Sequence, residues 1–281
     1  MNTITNTFSR LRDPRYYQIT VLGMLLTYGI FGLDFGIRWQ NAVTIFATAQ
    51  LVQYLGTRLA GLPKFDPLSA VITSLSLTLL LRTDLFVLAA VAATLAIGSK
   101  FLLRYNDKHI FNPANFALVT LMLLSDSAWV SSGQWGNATL VAFGLACLGS
   151  IVLTRAKRAE TTIAFILVYG ALVFGRALYL DDPLSIPLHQ VQNGALLIFA
   201  FFMISDPRTT PNTPLGRTLF ATLVAVIAFT IQFIYYQPNG PILALIMACP
   251  AVPLIDALLR GSNYRWDQPA GAKPGPFKGV Y

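Results

Sequence analysis

The stretch FMISDPRTTPNTPLGR, residues 202–217, interrupts a strongly apolar sequence with polar residues and prolines. A second stretch, KHIFNPANF at residues 108–116, interrupts the apolar pattern in the same way earlier in the chain. We call residues 108–116 the first break and residues 202–217 the second break. Backbone that leaves a helix at membrane depth must be buried in protein or line a cavity, because lipid offers its N–H and C=O groups no partners. Paired breaks in two similar halves therefore point to a binding site.

The composition predicts an all-α integral membrane protein. Of 281 residues, 55% are hydrophobic and 11% are charged, and the mean hydropathy is +0.60, whereas soluble domains carry about 25% charged residues. The net charge is +8, but the basic residues occupy short gaps between apolar runs and do not gather in one patch, as they would in a nucleic-acid-binding protein. The expected partner is the lipid bilayer, with no nucleic acid.

Ten apolar segments predict about ten transmembrane helices. A full crossing needs about 20 residues, so the shorter third, fifth and eighth segments are expected to be tilted, broken or completed by non-helical backbone. The segments lie at about 16–33, 40–59, 67–81, 84–103, 110–125, 135–153, 161–180, 188–204, 215–236 and 240–259.

The second half of the chain resembles the first. Spans three and eight both end in short polar segments, at residues 80–84 and 203–206, and spans five and ten begin at Asn112-Pro113 and just after residues 238–240. Repeat one (about 16–125) and repeat two (about 135–259) hold five spans each, so the second copy must enter the membrane upside down. The sequence thus predicts a ten-span membrane domain at 16–259, between an N-terminal segment at 1–15 and a tail at 260–281.

The basic residues predict the orientation. With the N-terminus inside, sixteen of the 20 Lys and Arg fall on the cytoplasmic side, which satisfies the positive-inside rule. Both termini are then cytoplasmic, and the expected location is the cell inner (plasma) membrane. The sixteen are Arg10, Arg12, Arg15, Arg58, Lys64, Arg104, Lys108, Arg155, Lys157, Arg158, Arg208, Arg217, Arg260, Arg265, Lys273 and Lys278. Lys100 and Arg176 lie near the ends of spans, where long side chains can snorkel.

The first break supplies candidate ligand-binding side chains. A helix that restarts at Asn112 points free N–H groups and a positive dipole end at the break, which suits an anionic or carbonyl-bearing ligand. Asn115 could donate and accept hydrogen bonds there. The alternative reading is that Asn112 simply caps the helix. His109 lies in the first break, three residues before Asn112. It is a further candidate for ligand binding, and the alternative is an interfacial side chain.

The second break and the last span supply the other candidate binding residues. Asp206 and Thr210 are candidates, with a local turn as the alternative. Arg217 could pair with Asp206, or reach a phosphate or a flavin carbonyl, or only mark the membrane boundary. Asp256 and Asn239, at the two ends of span ten, are candidates for an ion or substrate pathway. The alternatives for Asp256, one turn from the membrane surface, are solvation and a pair with Arg260. No Ser-His-Asp set, metal-ligand cluster or nucleotide-binding loop is present in the sequence, so no catalytic residue is assigned.

The two breaks and the last span resemble the NqrB/RnfD family of membrane electron-transport proteins. The similar stretches are HIFNPANF (109–116), NGALLIFAFFMISDPRTT (193–210) with Gly216-Arg217, PNGP (238–241) and VPLID (252–256). The resemblance implies an inverted-repeat fold akin to urea channels, in a protein that carries flavin within a respiratory complex. It also implies a non-covalent riboflavin site near Asn112 on the cytoplasmic side, where a second polar position is occupied by His109.

One family feature is missing. Family members with covalent FMN attach it to the Thr of a Ser/Ala-Gly-Ala-Thr-type motif in the outer loop after span five. Here that loop is SDSAWVSSGQ, residues 125–134, and the nearest imitation is Thr139 in GNAT at 136–139, which lacks the flanking pattern. The chain is therefore expected to be a divergent relative without covalent FMN.

Two functions from different classes follow. The first is a membrane subunit of an electron-transport system that binds riboflavin, FMN or quinone non-covalently and works with other redox subunits, with coupling to ion transport left open. As an enzyme it would be at most a non-flavinylated subunit of a membrane oxidoreductase. The second is a small-solute channel or transporter with the same fold, and a scaffolding subunit is a third reading. The channel would be lined by small and hydroxylated residues of span three, namely Ser69, Thr73, Ser74, Ser76 and Thr78.

Overall fold

A computed structural model describes residues 13–33, 36–106, 108–130, 144 and 158–261. The described chain is built from α-helices with four short strands. The predicted span six, the terminal segments 1–12 and 262–281, and Thr139 lie outside the described residues, apart from Gly144 within that span.

Helical segments lie at nine of the predicted span positions within these ranges. In the first half they are α1 (Pro14–Phe31), α2 (Trp39–Leu59), α3 (Pro67–Leu80), α4 (Phe86–Leu102) and α5 (Pro113–Leu124). In the second half they are α6 (Ala159–Tyr179), α7 (Ser185–Val191), α8 (Gly194–Ile198), α9 (Pro214–Phe233), α10 (Gly240–Ala248) and α11 (Ala251–Leu258). A π-helical turn, Phe199–Met203, continues α8.

Polar side chains and prolines start several of these helices. The side chains of Asp13, Asn112, Asn193 and Thr213 each accept a hydrogen bond from a backbone N–H in the first turn of the helix that follows. Such caps satisfy N–H groups that have no partner inside the helix. Proline at the first positions of α1, α3, α5 and α9 adds a backbone angle already suited to a helix.

The described helices differ in their capacity to cross a membrane. By length and hydropathy, α6 and α9 qualify singly. Two bent pairs also qualify when each is taken as one span: α7 with α8 and the π-helical turn, bent by 45°, and α10 with α11, bent by 53°. The described part of the chain is thus an integral membrane helical protein with two to four candidate spans by these criteria.

Short strands complete two of the short helices. β1 (Leu81–Thr83) follows α3 and pairs antiparallel with β4 (Ala128–Val130), which follows α5, with Arg82 opposite Trp129. Spans three and five therefore end in non-helical backbone, which is one of the three alternatives expected for the short spans. At the other end of these helices, β2 (Arg104–Tyr105) and β3 (Lys108–His109) form a small antiparallel pair that leads into α5.

Small residues allow the helices to pack closely. On α4, the side chains of Ala89, Ala92, Ala93 and Ala96 are fully buried, and α4 packs against α2. On α9, Ala221, Ala225 and Ala228 are fully buried in the same spacing, and α9 packs against α6. Stripes of this kind let helix backbones approach closely in membrane proteins.

The connections between the described helices gather at two ends. At one, which we call the cavity end, Arg15 of α1 binds Asp66 before α3, and Lys108 binds Asp256 of α11. At the opposite end, Arg38 before α2 pairs with Asp84 after β1. Because Lys108 belongs to the first break and the second break lies beside it, both breaks lie at the cavity end.

Candidate functional site

A cavity of about 220 Å³ opens at the cavity end. Its walls come from the first turn of α1, the last turns of α2 and α4, one face of α3, and both breaks. Exposed Leu62 and Lys64 lie at its mouth. The walls combine aromatic rings, hydroxyls, amides and charges, including Phe101, Phe201, Phe202, Ser69, Ser76, Gln53, Asn112, Asp206, Lys100 and Arg104.

Asn112 joins the two breaks. Its Oδ1 accepts a hydrogen bond from the N–H of Asn115 at 3.1 Å, so it caps α5 as the alternative reading proposed. Its Nδ2 donates to the carbonyl of Met203 and to Oδ2 of Asp206, both at 3.4 Å. The side chain is 7% exposed and lines the cavity. Capping and a place in the cavity wall are thus compatible.

Asp206 anchors the turn of the second break. Its Oδ1 accepts from the N–H of Arg208 at 3.0 Å, and its carbonyl accepts from Oγ1 of Thr210 at 3.0 Å. Burial raises the pKa of the Asp206 carboxyl, against a smaller effect of the Arg208 N–H bond and nearby cations. The turn predicted from this sequence is therefore formed, and its carboxyl group also lines the cavity.

His109 lines the cavity beside Asn112. Burial lowers the pKa of its imidazole to about 3, and the positive charges of Lys100, Arg208 and Arg104 lower it further in the same direction. The ring is therefore neutral near pH 7. Its Nδ1 has no hydrogen-bond partner among the described residues. A buried nitrogen of this kind is costly unless water or a ligand satisfies it.

Lys100 is a cavity residue that our sequence reasoning missed. We expected it to snorkel, but its side chain is 5% exposed and lines the cavity. Its Nζ donates to the carbonyl and to Oγ of Ser69, at 3.1 and 3.0 Å. The sequence did contain a signal for its function, namely a lysine inside an apolar segment. Charged residues within membrane spans are rare and usually functional.

Thr210 and Asp256 lie outside the cavity lining and meet at Lys108. The Lys108 ammonium donates to the Thr210 carbonyl at 2.6 Å and to Oδ2 of Asp256 at 2.7 Å. Oδ1 of Asp256 accepts from the N–H of Asn212 at 2.8 Å. The Asp256 carboxylate thus pairs with Lys108 and not with Arg260, the partner that the helical spacing suggested.

Arg217 also lies outside the cavity lining. Its guanidinium donates to the carbonyl of Asn212 at 2.9 Å and to Glu160 of α6 at 3.3 Å. Asp206 is held instead by Arg208 and Asn112, so the expected Arg217–Asp206 pair is not formed. A cofactor-binding role for Arg217 stays a prediction.

The remaining two candidate residues are Asn115, in the first turn of α5, and Asn239, directly before α10. Nδ2 of Asn115, on α5, donates to the carbonyl of Ile242, on α10, at 3.1 Å. Asn239 precedes α10 in a left-handed conformation, with φ of 63°. Neither residue lines the cavity. The pathway role of Asn239 likewise remains a prediction.

The fold and the cavity define a membrane-embedded helical protein with a polar, partly aromatic site at one end. The NQR2, RnfD, RnfE family matches residues 130–265 of this chain. The resemblance seen in the sequence is thereby confirmed. The match includes the second break and α10–α11, but the first break and α1–α5 lie before it.

Two similar proteins are both named as the D component of an ion-translocating oxidoreductase complex. The chain is 30% identical over 131 residues to the one from Klebsiella pneumoniae (strain 342), which covers 47% of this chain and 36% of the relative. It is 28% identical over 142 residues to the one from Escherichia coli O1:K1, which covers 50% of this chain and 38% of the relative. The match thus spans less than two fifths of these relatives.

Proposed function

We propose that this chain is a membrane subunit of an Rnf/Nqr-like electron-transport system and binds flavin or quinone non-covalently in the cavity. The observation that carries the proposal is that the cavity brings both breaks together. Asn112 of the first break reaches Met203 and Asp206 of the second, and the second break lies within the family match. By analogy with the relatives, other redox subunits are the expected partners.

The side chains of the cavity suit a flat ring that carries carbonyl and N–H groups. Phe101, Phe201 and Phe202 offer apolar faces, and the Lys100 ammonium and Asn112 amide offer donors. The unpartnered Nδ1 of neutral His109 offers a buried acceptor. This mixture of apolar walls and few polar groups is typical of cofactor sites.

The size of the cavity limits how such a ligand binds. Its volume of about 220 Å³ is below the roughly 300–1,000 Å³ usual for small-molecule sites. The ring would therefore occupy the cavity while a side chain extends through the mouth beside Leu62 and Lys64. A bound flavin or quinone would supply electron storage, and the residues of this chain would bind and orient it and exclude water.

The proposal includes ten spans in two inverted repeats, with a urea-channel-like arrangement and both termini in the cytoplasm. Contacts between α5 and the last span support it. Lys108, before α5, meets Asp256 near the end of span ten, and Asn115, farther along, meets Ile242 near its start. The two segments therefore run in opposite directions, as inversion requires.

Ligand content of the purified protein tests the proposal. We expect protein extracted in mild detergent and placed in nanodiscs to carry, or to take up, riboflavin or a quinone, read by absorbance and by chromatography of the extract. Asn112→Leu should weaken the binding, while Asn193→Leu, which removes a similar cap away from the cavity, should not. Wild-type protein that neither retains nor binds either ligand would overturn the proposal.

A solute channel is the second candidate, and the hydroxyl groups of α3 bear on it. Thr73, Ser74 and Thr78 donate to backbone carbonyls four residues earlier in their own helix. Hydroxyls bonded in this way are less available to a passing solute, although Ser69, Thr73 and Ser76 line the cavity. Solute uptake into proteoliposomes that Asn112→Leu abolishes would favour the channel.

A further inference from the structure

We infer that Lys100 recognises an anionic oxygen of the ligand, so that the cavity selects an anion. The inference deepens the proposed function and rests on it for the identity of the ligand. Lys100 lies outside residues 130–265, the part of the chain that the family matches. Its role is therefore argued from its surroundings in this chain.

The first observation is a buried ammonium group on which the nearest carboxylates, Asp206 and Asp66, act only from beyond ion-pair distance. The Lys100 side chain is 5% exposed, and its ammonium makes no ion pair among the described residues. Its partners are the carbonyl and hydroxyl of Ser69. Removing an ammonium from water is strongly unfavourable unless it is paired. A bound anion would provide that pairing.

The second observation is that the nearby carboxylates are engaged elsewhere. Asp66 accepts two hydrogen bonds from Arg15, at 2.9 and 2.7 Å. Asp206 accepts from the N–H of Arg208 and from the Asn112 amide. An ammonium carries three N–H donors, and Ser69 takes two of them. One donor of Lys100 thus remains for a ligand in the cavity.

The third observation is the balance of charge around the cavity. Arg15 and Asp66 line it and bind each other, and Arg15 also binds Asp13. The other charged residues of the lining are Lys64, Lys100, Arg104 and Arg208, against Asp206. His109 is neutral near pH 7, because burial lowers its pKa to about 3. The surplus positive charge favours a ligand with negative charge.

Two parts of a flavin could carry the anionic oxygen. One is the ring itself, whose reduced form spreads a negative charge over N1 and the adjoining carbonyl oxygen, where a nearby cation stabilises it. The other is the phosphate of FMN, which riboflavin lacks. Both would meet the same ammonium, so the experiment must separate them.

The test measures binding of three probes to the protein in nanodiscs: riboflavin, riboflavin reduced with dithionite, and FMN. We expect wild-type protein to bind the reduced ring or FMN at least about tenfold more tightly than oxidised riboflavin, the scale of a hydrogen bond to a charged group. Preference for reduced riboflavin assigns the contact to the ring, and preference for FMN assigns it to the phosphate.

Variants identify the residue responsible. Lys100→Gln should abolish the preference for the anionic probes, and Lys100→Arg, which keeps the charge, should retain it. Arg58→Gln is the matched control, because Arg58 is an exposed cation that does not line the cavity. Binding of all three probes by Lys100→Gln as by the wild type would overturn the inference. So would an equal loss in Arg58→Gln.

A further measurement separates the inference from the proposed function. If wild-type protein binds none of the three probes, the flavin proposal fails, and inorganic phosphate then decides the role of Lys100. Phosphate should raise the unfolding temperature of the wild type in a concentration-dependent way and have no such effect on Lys100→Gln, since a ligand stabilises the state that it binds. Equal responses of the two proteins would contradict the anion site.

Discussion

Nζ of Lys108 lies 2.7 Å from Oδ2 of Asp256, although the two residues are 148 positions apart in the sequence. The pair connects the first break to α11, and both side chains are largely buried, at 12% and 16% exposure. Because Oδ1 of Asp256 also holds the N–H of Asn212, one carboxylate fixes both breaks to the end of the last span.

The Lys108–Asp256 pair should contribute strongly to stability. We expect Asp256→Ala to lower the free energy of unfolding by about 2–4 kcal/mol, because it removes the counter-ion of a buried ammonium and the acceptor of the Asn212 N–H. Lys108→Met should cost less, since the carboxylate keeps the Asn212 bond. The double mutant should lose less than the sum of the two.

The matched control for that pair is Arg38–Asp84. Its atoms are also close, at 2.8 Å, but its side chains are 56% and 68% exposed. Arg38→Gln should therefore cost less than about 1 kcal/mol. Unfolding in mixed micelles measures all four variants, and a cost for Asp256→Ala no larger than that for Arg38→Gln would contradict the prediction.

His109 should make stability depend on pH. Its pKa is depressed from the ordinary 6.5 to about 3 by burial, so the stability it contributes is present above pH 6.5 and is lost as pH falls toward 3. We expect the unfolding temperature of the wild type to fall between pH 7.5 and 5. In His109→Gln the unfolding temperature should fall less over the same pH range. An unchanged pH dependence in this variant would show that other titratable groups control the stability.

Asn112 and Arg217 should act independently. Asn112→Ala removes a helix cap and a cavity donor, so we expect a loss of about 1 kcal/mol in stability and about 1–3 kcal/mol in ligand affinity. Arg217→Ala should affect stability alone, because its guanidinium binds Glu160 and Asn212 outside the cavity lining.

The control for this pair is Asn193→Ala, which removes a cap of α8 away from the cavity and should leave affinity unchanged. Calorimetric titration with riboflavin, together with thermal unfolding, measures both effects. We expect the Asn112→Ala/Arg217→Ala double mutant to bind riboflavin with the affinity of Asn112→Ala alone. A coupling above about 0.5 kcal/mol would instead support the shared site that the sequence suggested.

The orientation can be tested with single cysteines. Lys64 and Asp84 are exposed and lie at the cavity end and the opposite end. In a background with Cys147 and Cys249 replaced by Ala, a membrane-impermeant maleimide should label Asp84→Cys on intact spheroplasts. It should label Lys64→Cys only after lysis. Labelling of both from the same side would mean that the ten-span topology is wrong.

Covalent flavin should be absent from this polypeptide. Co-expression with a flavin transferase should give no fluorescent band in a denaturing gel, because the loop at residues 125–134 lacks the acceptor motif. A family member that carries the motif serves as the positive control. A band that disappears in Thr139→Ala would identify Thr139 as an acceptor after all.

Local sequence signals located the helices and their starts well. An Asn directly before a proline predicts a capped first turn, and Asn112-Pro113 forms one. Thr213 caps α9 in the same way, although we did not single it out from the sequence. The shortness of spans three and five predicted that they are tilted, broken or completed by non-helical backbone, and the β1–β4 pair shows the last of these. These features depend on neighbours in the chain, so a single sequence contains them.

Contacts between distant residues were harder to predict. Helical spacing suggested Arg260 as the partner of Asp256, but tertiary packing brings Lys108 closer. Lys100 was expected to snorkel because it lies near the end of a span. Its position inside an apolar segment was a signal of function, but the burial of its side chain depends on how α4 packs against its neighbours. The ten-span count and the inversion of the repeats, in turn, stay proposals.

The π-helical turn at Phe199–Met203 accommodates one extra residue in this segment. The N–H of Ile204 donates to the carbonyl of Phe199, five residues back, at 3.0 Å, and α6 contributes Thr162 as donor to the Ala200 carbonyl. An α-helical hydrogen bond spans one residue fewer, so this turn holds one residue more than a regular α-helix would. Deleting Phe201 would let the helix close in the α pattern, and the residues after it would keep nearly the same direction, because the π-helical turn takes up the extra residue locally. Asp206 would then stay near the cavity wall, so this turn is a place where the segment can gain or lose one residue without moving the second break.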